Sequence, residues 1–279
     1  MPGFRTLVFV CLSLQVLVLL QAQQNTDPTS IMLAAREALG GDKRIAAIRT
    51  IVATGRTRQV RGDNLVPIEF EIAIELPDKY VRTDEIPAQE SGPTRRGFNG
   101  AGLIQFPDAA ALPPRGGPPP PARAGAPPPP GPGRPGGSPP AQVDPVTALK
   151  QDFARLTLGM FAASFSGYPL TFASGGVAEA PEGKADVIDV KGAANFSARL
   201  FIDSQTHLPL MVSWPAAAVG AATPPPENRI YYADYRDVDG LRFPFRIRRA
   251  SGATTTEETT FDRFRINAKI DPKKFEVRK

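Results

Sequence analysis

Residues that could do chemistry are few in this sequence, and the most obvious candidate is its single histidine, His207. His207 lies in the segment 203–209, Asp-Ser-Gln-Thr-His-Leu-Pro, whose composition predicts a hairpin turn. A general base needs a hydrogen-bonded partner and a pocket, and the tip of a hairpin supplies neither. We therefore interpret His207 as a structural residue. No Ser-His-Asp triad can be assembled around it.

The paired carboxylates also lack the spacing that chemistry requires. Asp237-Val238-Asp239-Gly240 faintly resembles a calcium loop, but the remaining ligands and the closing bidentate glutamate are missing. Glu257 and Glu258 are neighbours in a predicted strand, so their side chains point to opposite faces and cannot form an acid–base pair. No Gly-rich phosphate motif follows a strand. We expect no catalytic residues, no metal site and no cofactor, and an unrecognised hydrolase is the weakest of the hypotheses considered.

The N-terminal segment is typical of a cleavable signal peptide. Arg5 precedes an apolar run from Thr6 to Leu20, and Ala22 offers a small residue for cleavage, so we assign residues 1–22 to the signal. The run is short for a membrane span, which needs about 20 apolar residues. The only cysteine, Cys11, lies inside it, so the mature chain has no disulfide and no thiol chemistry. This pattern predicts a protein exported to a bacterial periplasm.

A proline-rich segment interrupts the rest of the chain. About half of the 31 prolines fall between Pro107 and Pro145. A segment of this composition forms no core and adopts disordered or polyproline conformations. The sequence therefore predicts one domain over residues 23–279 with an insertion at 107–143.

Helices are predicted at three places. Asp27-Pro28 and Asp144-Pro145 each combine an N-cap residue with proline at the first helical position, and Asp42 is a third candidate cap. After Asp144, apolar residues recur at helical spacing and form one stripe: Val146, Leu149, Phe153, Leu156 and Met160.

The remaining segments are predicted to be about ten antiparallel strands. The clearest signal is Asp239-Gly240 between two runs of aromatic and branched residues, which predicts a tight hairpin. Two strands have one continuous apolar face, formed by Phe70, Ile72, Ile74 and Leu76 and by Leu241, Phe243, Phe245 and Ile247. The first alternates with mostly acidic residues, the second mostly with arginines. The predicted fold class is α+β, a strongly curved antiparallel sheet forming an incomplete, half-open β-barrel with helices covering the concave side.

Several short segments, which together cover most of the mature chain, occur in a recognisable order: 75–82, the turn 98–100, the helix after Asp144, the hairpin at 201–203, the Asp-Gly hairpin with 241–244, and the C-terminal 264–267 and 270–272. This order resembles that of the periplasmic outer-membrane lipoprotein-sorting carriers, the LolA and LolB-like family. The resemblance implies an open barrel, closed by helices, that holds acyl chains without catalysis. The chain departs from the family pattern in its proline-rich insertion and in lacking an assignable lid-contacting arginine.

The leading hypothesis is therefore a non-enzymatic periplasmic carrier that binds lipid or the acyl chains of lipoproteins. The alternative is a periplasmic sensor or scaffold that binds another protein through the same fold. The net charge of +5 suits a membrane surface or an acidic periplasmic partner, or simply a solvated strand face, and export argues against nucleic acid. The residues expected to line an apolar cavity are Phe70, Ile72, Ile74, Leu76, Val146, Leu149, Phe153, Leu241, Phe243, Phe245 and Ile247.

Overall fold

The computed structural model describes residues 27–61, 64–87, 92–107, 143–180, 183–216 and 226–277. The predicted signal peptide at 1–22 lies outside these ranges, as does almost all of the predicted insertion at 107–143. Both therefore stay predictions.

In the part of the chain that the structure describes, three α-helices form where the sequence predicts them. In α1 (Pro28–Ala38) the carboxylate of Asp27 accepts a hydrogen bond from the Thr29 amide at 3.2 Å, and in α3 (Pro145–Phe161) Asp144 accepts one from the Thr147 amide at 2.9 Å. Both caps satisfy amides that have no partner inside the helix. The short helix α2 (Asp42–Ala46) differs from the prediction, because Gly41 occupies the cap position and no side chain caps it.

Within the described ranges twelve strands, against about ten predicted, form a single antiparallel sheet. The strands are β1 (Thr50–Arg61), β2 (Asn64–Glu75), β3 (Lys79–Glu85), β4 (Thr94–Asn99), β5 (Gly102–Phe106), β6 (Leu170–Ala180), β7 (Gly183–Gly192), β8 (Phe196–Asp203), β9 (Pro209–Pro215), β10 (Glu227–Val238), β11 (Leu241–Ser251) and β12 (Thr254–Ile266). Their spatial order is β5-β4-β3-β2-β1-β12-β11-β10-β9-β8-β7-β6. Two meanders are thus joined by the pairing of β1 with β12, and β5 and β6 are the two edges.

The sheet curves around α3. This helix contacts β4 and β5 near one edge and β8, β9 and β10 towards the other. A flat sheet cannot bring strands so far apart in its order onto one helix, so the sheet is a trough. It is not closed into a barrel, because β5 and β6 do not pair with each other. The predicted α+β fold with an incomplete barrel is confirmed.

The C-terminal half of α3 is enclosed by protein. Every residue from Phe153 to Phe161 is buried, including the polar Arg155 and Thr157. The predicted apolar stripe is therefore only part of the contact surface of this helix. The reason is topological, since the sheet supplies neighbours on several sides and α1 adds Ile31, Met32 and Ala35 to the same core.

The hairpin between β10 and β11 turns at Asp239 and Gly240, as predicted. Their φ angles are 54° and 79°, and the Gly240 amide donates to a carboxylate oxygen of Asp237 at 3.1 Å. Two consecutive left-handed residues match the twist of the strands on either side. The turn fixes the register that pairs Val238 with Leu241, and it places Leu241, Phe243, Phe245 and Ile247 on one face.

We call the sheet face that carries the main core the inner face, exemplified by Ile51, Ile72 and Phe245, and the opposite face the outer face. The alternation of apolar residues with glutamates in β2 predicts an acidic outer face. The structure shows that part of this outer face is instead apolar. Ala73 is 1% exposed and forms a second small core with Val81, Ile104 and Phe275. The C-terminal 3-10 helix, Pro272–Phe275, covers this spot, a long-range contact that the local pattern of β2 does not encode.

Candidate functional site

The eleven residues predicted to line a cavity all lie on the inner face or on α3 and face one another. Nine are buried in one continuous apolar cluster: Phe70, Ile72, Ile74, Leu149, Phe153, Leu241, Phe243, Phe245 and Ile247. Leu76 and Val146 are partly buried and pack against it. All eleven thus pack in or against one apolar cluster, and their role in lining a cavity or binding a ligand stays a prediction.

Aromatic rings connect the sheet to α3 across this inner face. Phe243 stacks on Phe264 with ring centroids 4.6 Å apart, and it meets Phe161 of α3 edge to face at 5.8 Å. About two turns earlier in α3, Phe153 contacts Phe98 and Tyr80 with ring centroids 5.6 and 5.3 Å apart. Aromatic pairs of this kind contribute about 0.5–1.5 kcal/mol each beyond their buried area. The rings hold α3 against both halves of the trough.

Two tyrosines of β10 fasten α3 by polar contacts. The Tyr232 hydroxyl donates to the Arg155 carbonyl at 2.7 Å, and the Tyr235 hydroxyl lies 3.1 Å from the Gly159 carbonyl and 2.8 Å from that of Pro209. Burial raises the pKa of both phenols, so they stay protonated donors. The fit is close, because a Cβ at Gly159 would come within 2.0 Å of the Tyr232 ring.

Arg155 is a buried cation on α3 that the sequence analysis did not single out. Its Cζ lies 5.0 Å from the ring centroid of Phe196 and 4.5 Å from that of Trp214, and it donates to Asp152 at 3.0 Å. Its Nε is buried without a hydrogen-bond partner, and burial lowers the pKa of the guanidinium. The sequence feature that could have identified Arg155 is its position between Ala154 and Leu156, in a mostly apolar half of the predicted helix. Arg155 ties α3 to β8 and β9.

The inner face changes character along β1. Ile51 and Ala53 belong to the apolar core, whereas Thr57 and Gln59 face a polar group formed with Arg82, Asp84, Arg249, Glu257 and Thr259. Burial alone would raise the pKa of Glu257, but the nearby guanidinium groups of Arg82 and Arg249 bring it below its ordinary value. We call this group the rim cluster. It marks one end of the trough.

A crevice of about 510 Å³ opens at the other end of the inner face. Helices α1 and α2 form one wall, and the segment after α3 and strand β6 form the other. Leu76, Phe165 and Phe172 line it and also pack against the main core, so the crevice leads from the surface to the inner face. Arg36 spans the opening, because its guanidinium pairs with Asp42 and lies 3.4 Å from the Ala162 carbonyl.

The residues weighed as catalytic or metal-binding lie apart from this site. His207 has a φ of 57° in the turn between β8 and β9, where its amide donates to the Asp203 carbonyl at 2.8 Å. Glu257 lies on the inner face in the rim cluster, and Glu258 is exposed on the outer face. No grouping of three or more histidine, cysteine or acidic residues suited to a metal ion occurs within the described ranges.

None of the helices in the described part of the chain has the length and apolar character needed to cross a bilayer.

No family model matches the chain, and no curated protein resembles it in sequence. Solved structures do resemble it in fold. A LolA superfamily protein from Nitrosomonas europaea is 11% identical, with a TM-score of 0.50 over 90% of this chain and 97% of that one.

Two further structures align over most of their length with lower scores. One is a putative outer membrane lipoprotein-sorting protein domain from Vibrio parahaemolyticus, at 7% identity and a TM-score of 0.47 over 89% of this chain and 97% of that one. The other is a DUF1329 family protein from Desulfovibrio piger, at 9% identity and a TM-score of 0.46 over 90% and 98%. The likeness to the Nitrosomonas europaea protein confirms, at the level of architecture, the resemblance inferred from the sequence, and the chain has a LolA-like fold.

Proposed function

We propose that this protein is a non-catalytic periplasmic carrier that binds the acyl chains of lipids or lipoproteins on the inner face of its sheet. The proposal places the acyl chains among the eleven residues named above, next to α3. The likeness to the LolA superfamily protein supports the fold that this function needs. The predicted signal peptide supports the location.

The inner face has the chemistry that an acyl chain requires. An acyl chain forms no hydrogen bonds, so it is held by buried apolar area at about 25 cal/mol per Å². Apart from the rim cluster, the inner face of β1, β2, β11 and β12 presents apolar side chains. In the structure, side chains of α3 and α1 pack on this apolar surface. A ligand therefore binds there only if the helices lose some of these contacts. Bonds such as Tyr232 to Arg155 then oppose uptake.

The observation that carries the proposal is the crevice beside α1 and α2. Leu76 and Phe172 line this crevice and also pack against the buried core cluster, so apolar surface continues from the crevice to the inner face. The crevice and the rim cluster lie at opposite ends of β1. From Thr50 to Thr57 the strand rises about 23 Å. An acyl chain entering at the crevice therefore meets apolar surface first and the rim cluster last.

The proposal is tested by photolabelling with an uncharged diacylglycerol that carries a photoreactive group on one chain. Mass spectrometry should locate the label at Leu76, Phe165 or Phe172 and at the adjoining inner face. Ala46 is exposed and lines the crevice, so Ala46→Trp should block it and lower labelling at least about tenfold, equivalent to about 1.4 kcal/mol.

The matched control is Ala47→Trp, at the next position, which is also exposed but lies outside the crevice lining. It should label like the wild type. If the wild type takes no label at the inner face, or if Ala46→Trp labels as well as Ala47→Trp, the inner face is a sealed core. The sensor or scaffold hypothesis then becomes the better one.

A further inference from the structure

A second cavity, of about 660 Å³, lies on the outer face of the sheet, away from the helices. Strands β6 to β12 contribute to its walls. Its volume falls in the range of pockets that hold small molecules, about 300–1,000 Å³. Neither the sequence patterns nor the fold resemblance assigns it a role.

The floor of this outer cavity is apolar, although it faces solvent. Phe201 of β8 pairs with Met211 of β9, which pairs with Tyr231 of β10, so the three side chains form one row across the sheet. Ala185 and Ala233 line the same cavity. The outer face of an antiparallel sheet is normally polar, and a contiguous apolar area on it indicates a binding surface.

The row ends at two arginines. Tyr231 pairs with Arg248 of β11, and the Arg248 Cζ lies 4.1 Å from the centroid of the tyrosine ring. Arg246 lies one step along the same face, next to Ala233. Within the described ranges neither guanidinium is in an ion pair, and Arg248 donates only one side-chain hydrogen bond, to Thr255 at 3.3 Å.

Two other charged groups that line the cavity, Lys184 and Asp203, already have partners. Lys184 is paired with Glu179 at 2.7 Å, and a carboxylate oxygen of Asp203 accepts hydrogen bonds from the backbone amides of Gln205 and Thr206. Two acidic groups lie near the arginines. Glu258 is the cross-strand neighbour of Arg248, and Asp234 interacts with Arg246 but is already paired with Arg236 at 2.5 Å. With the charge of Asp234 offset by Arg236, two arginines against Glu258 leave this end of the cavity basic.

We propose that the outer cavity binds an anionic amphiphile with a single acyl chain. The chain lies along Phe201, Met211 and Tyr231, and the carboxylate or phosphate head is held by Arg246 and Arg248. Guanidinium groups suit both heads because they donate two parallel hydrogen bonds. This site is on the opposite face from the proposed carrier site, so either can fail without the other.

The test compares a photoreactive long-chain fatty acid with the corresponding uncharged fatty alcohol, and adds a lysophosphatidic acid to distinguish a carboxylate head from a phosphate head. In the wild type the acid should label Met211 or Tyr231, and it should bind at least about tenfold more tightly than the alcohol. The preference for the acid should decrease as salt is added, because salt screens the attraction between the anionic head group and the exposed guanidinium groups.

Variants separate the two parts of the ligand. Arg246→Gln combined with Arg248→Gln should remove the preference for the acid and leave binding of the alcohol unchanged. Ala233→Trp fills the cavity and should weaken both ligands. The matched control is Arg242→Gln, an exposed arginine on the same strand and face that lies outside the cavity.

Three outcomes would overturn the proposal. Labelling confined to inner-face residues such as Phe70 or Phe153 would assign the ligand to the carrier site alone. Equal binding of acid and alcohol by the wild type would show that the arginines do not act. If Arg242→Gln loses the preference for the acid as fully as the double variant does, the preference comes from the general surface charge and not from Arg246 and Arg248.

Discussion

At the scale of single residues, Glu257 holds the rim cluster together. Its carboxylate lies 3.6 Å from Arg82 and 3.8 Å from Arg249, and it also accepts a hydrogen bond from Thr259 at 3.1 Å. Asp84 pairs with Arg82 from the other side at 2.6 Å. Removing the Glu257 charge leaves the partly buried guanidinium groups without enough negative charge nearby. The resulting loss of stability is larger than the loss from breaking an exposed ion pair.

Glu257→Gln should lower the free energy of unfolding by about 1–3 kcal/mol near neutral pH. The pKa of Glu257 in the folded protein lies below its ordinary 4.5. The ionised carboxylate therefore stabilises the fold above about pH 4.5, and this contribution is lost as the pH falls through the folded-state pKa.

Urea unfolding of wild type and variant across this pH range measures the effect, and the two curves should converge in acid. Glu258→Gln is the control, because Glu258 is exposed on the outer face and should change stability little at any pH. A Glu257→Gln deficit that persists unchanged in acid would contradict the assigned cause.

Gly159 is the second residue whose identity the packing dictates. Gly159→Ala should destabilise the protein by about 1–3 kcal/mol, even though alanine favours helices, because its Cβ overlaps the Tyr232 ring. Tyr232→Leu combined with Gly159→Ala should lose less stability than the sum of the two single changes. Thermal unfolding of the four proteins measures this coupling, and strict additivity would show that the two residues do not clash.

At the scale of elements, the contact between α3 and β10 bears most directly on the carrier proposal. Two tyrosine hydroxyls of β10 and the edge-to-face pair of Phe161 and Phe243 join α3 to the sheet. Helices α1 and α2 form one wall of the crevice. A carrier must break some of these contacts during uptake, whereas a scaffold has no need to.

Tyr235→Phe removes the hydroxyl that bridges Gly159 and Pro209 and keeps the ring. We expect a stability loss of about 0.5–1.5 kcal/mol, faster hydrogen exchange of α3 amides and, if the carrier proposal holds, faster labelling of the inner face by the diacylglycerol probe. Tyr231→Phe, on the same strand but facing outward, is the control and should leave exchange in α3 unchanged. Slower labelling of Tyr235→Phe would argue against opening at this contact.

At the scale of the whole molecule, the proline-rich insertion should contribute little to folding. Deleting residues 116–140 removes a segment with few large apolar side chains to bury, so we expect the melting temperature to stay within a few degrees of the wild-type value. Differential scanning calorimetry of the two proteins measures this. A larger drop would show that the segment packs on the domain.

Local signals explain which parts of the fold could be predicted. The Asp239-Gly240 turn, the Asp-Pro helix starts and the alternation of Phe70, Ile72 and Ile74 involve residues close in sequence, so their physics can be read from the chain. Strand β6 was missed because Gly175-Gly176 and small residues give it little strand propensity, and its pairing with β7 supplies what its sequence lacks.

The sequence by itself determined the class of fold and the members of the apolar inner face, because turn chemistry and side-chain alternation act within a few residues. Only the tertiary structure decided what covers that face. The enclosure of α3, the crevice and the burial of Arg155 depend on strands from both edges of the sheet meeting one helix. The outer cavity likewise depends on cross-strand register, which aligns Phe201, Met211, Tyr231 and Arg248 although they lie far apart in the chain. Register is fixed by the whole sheet, so no local pattern contains it.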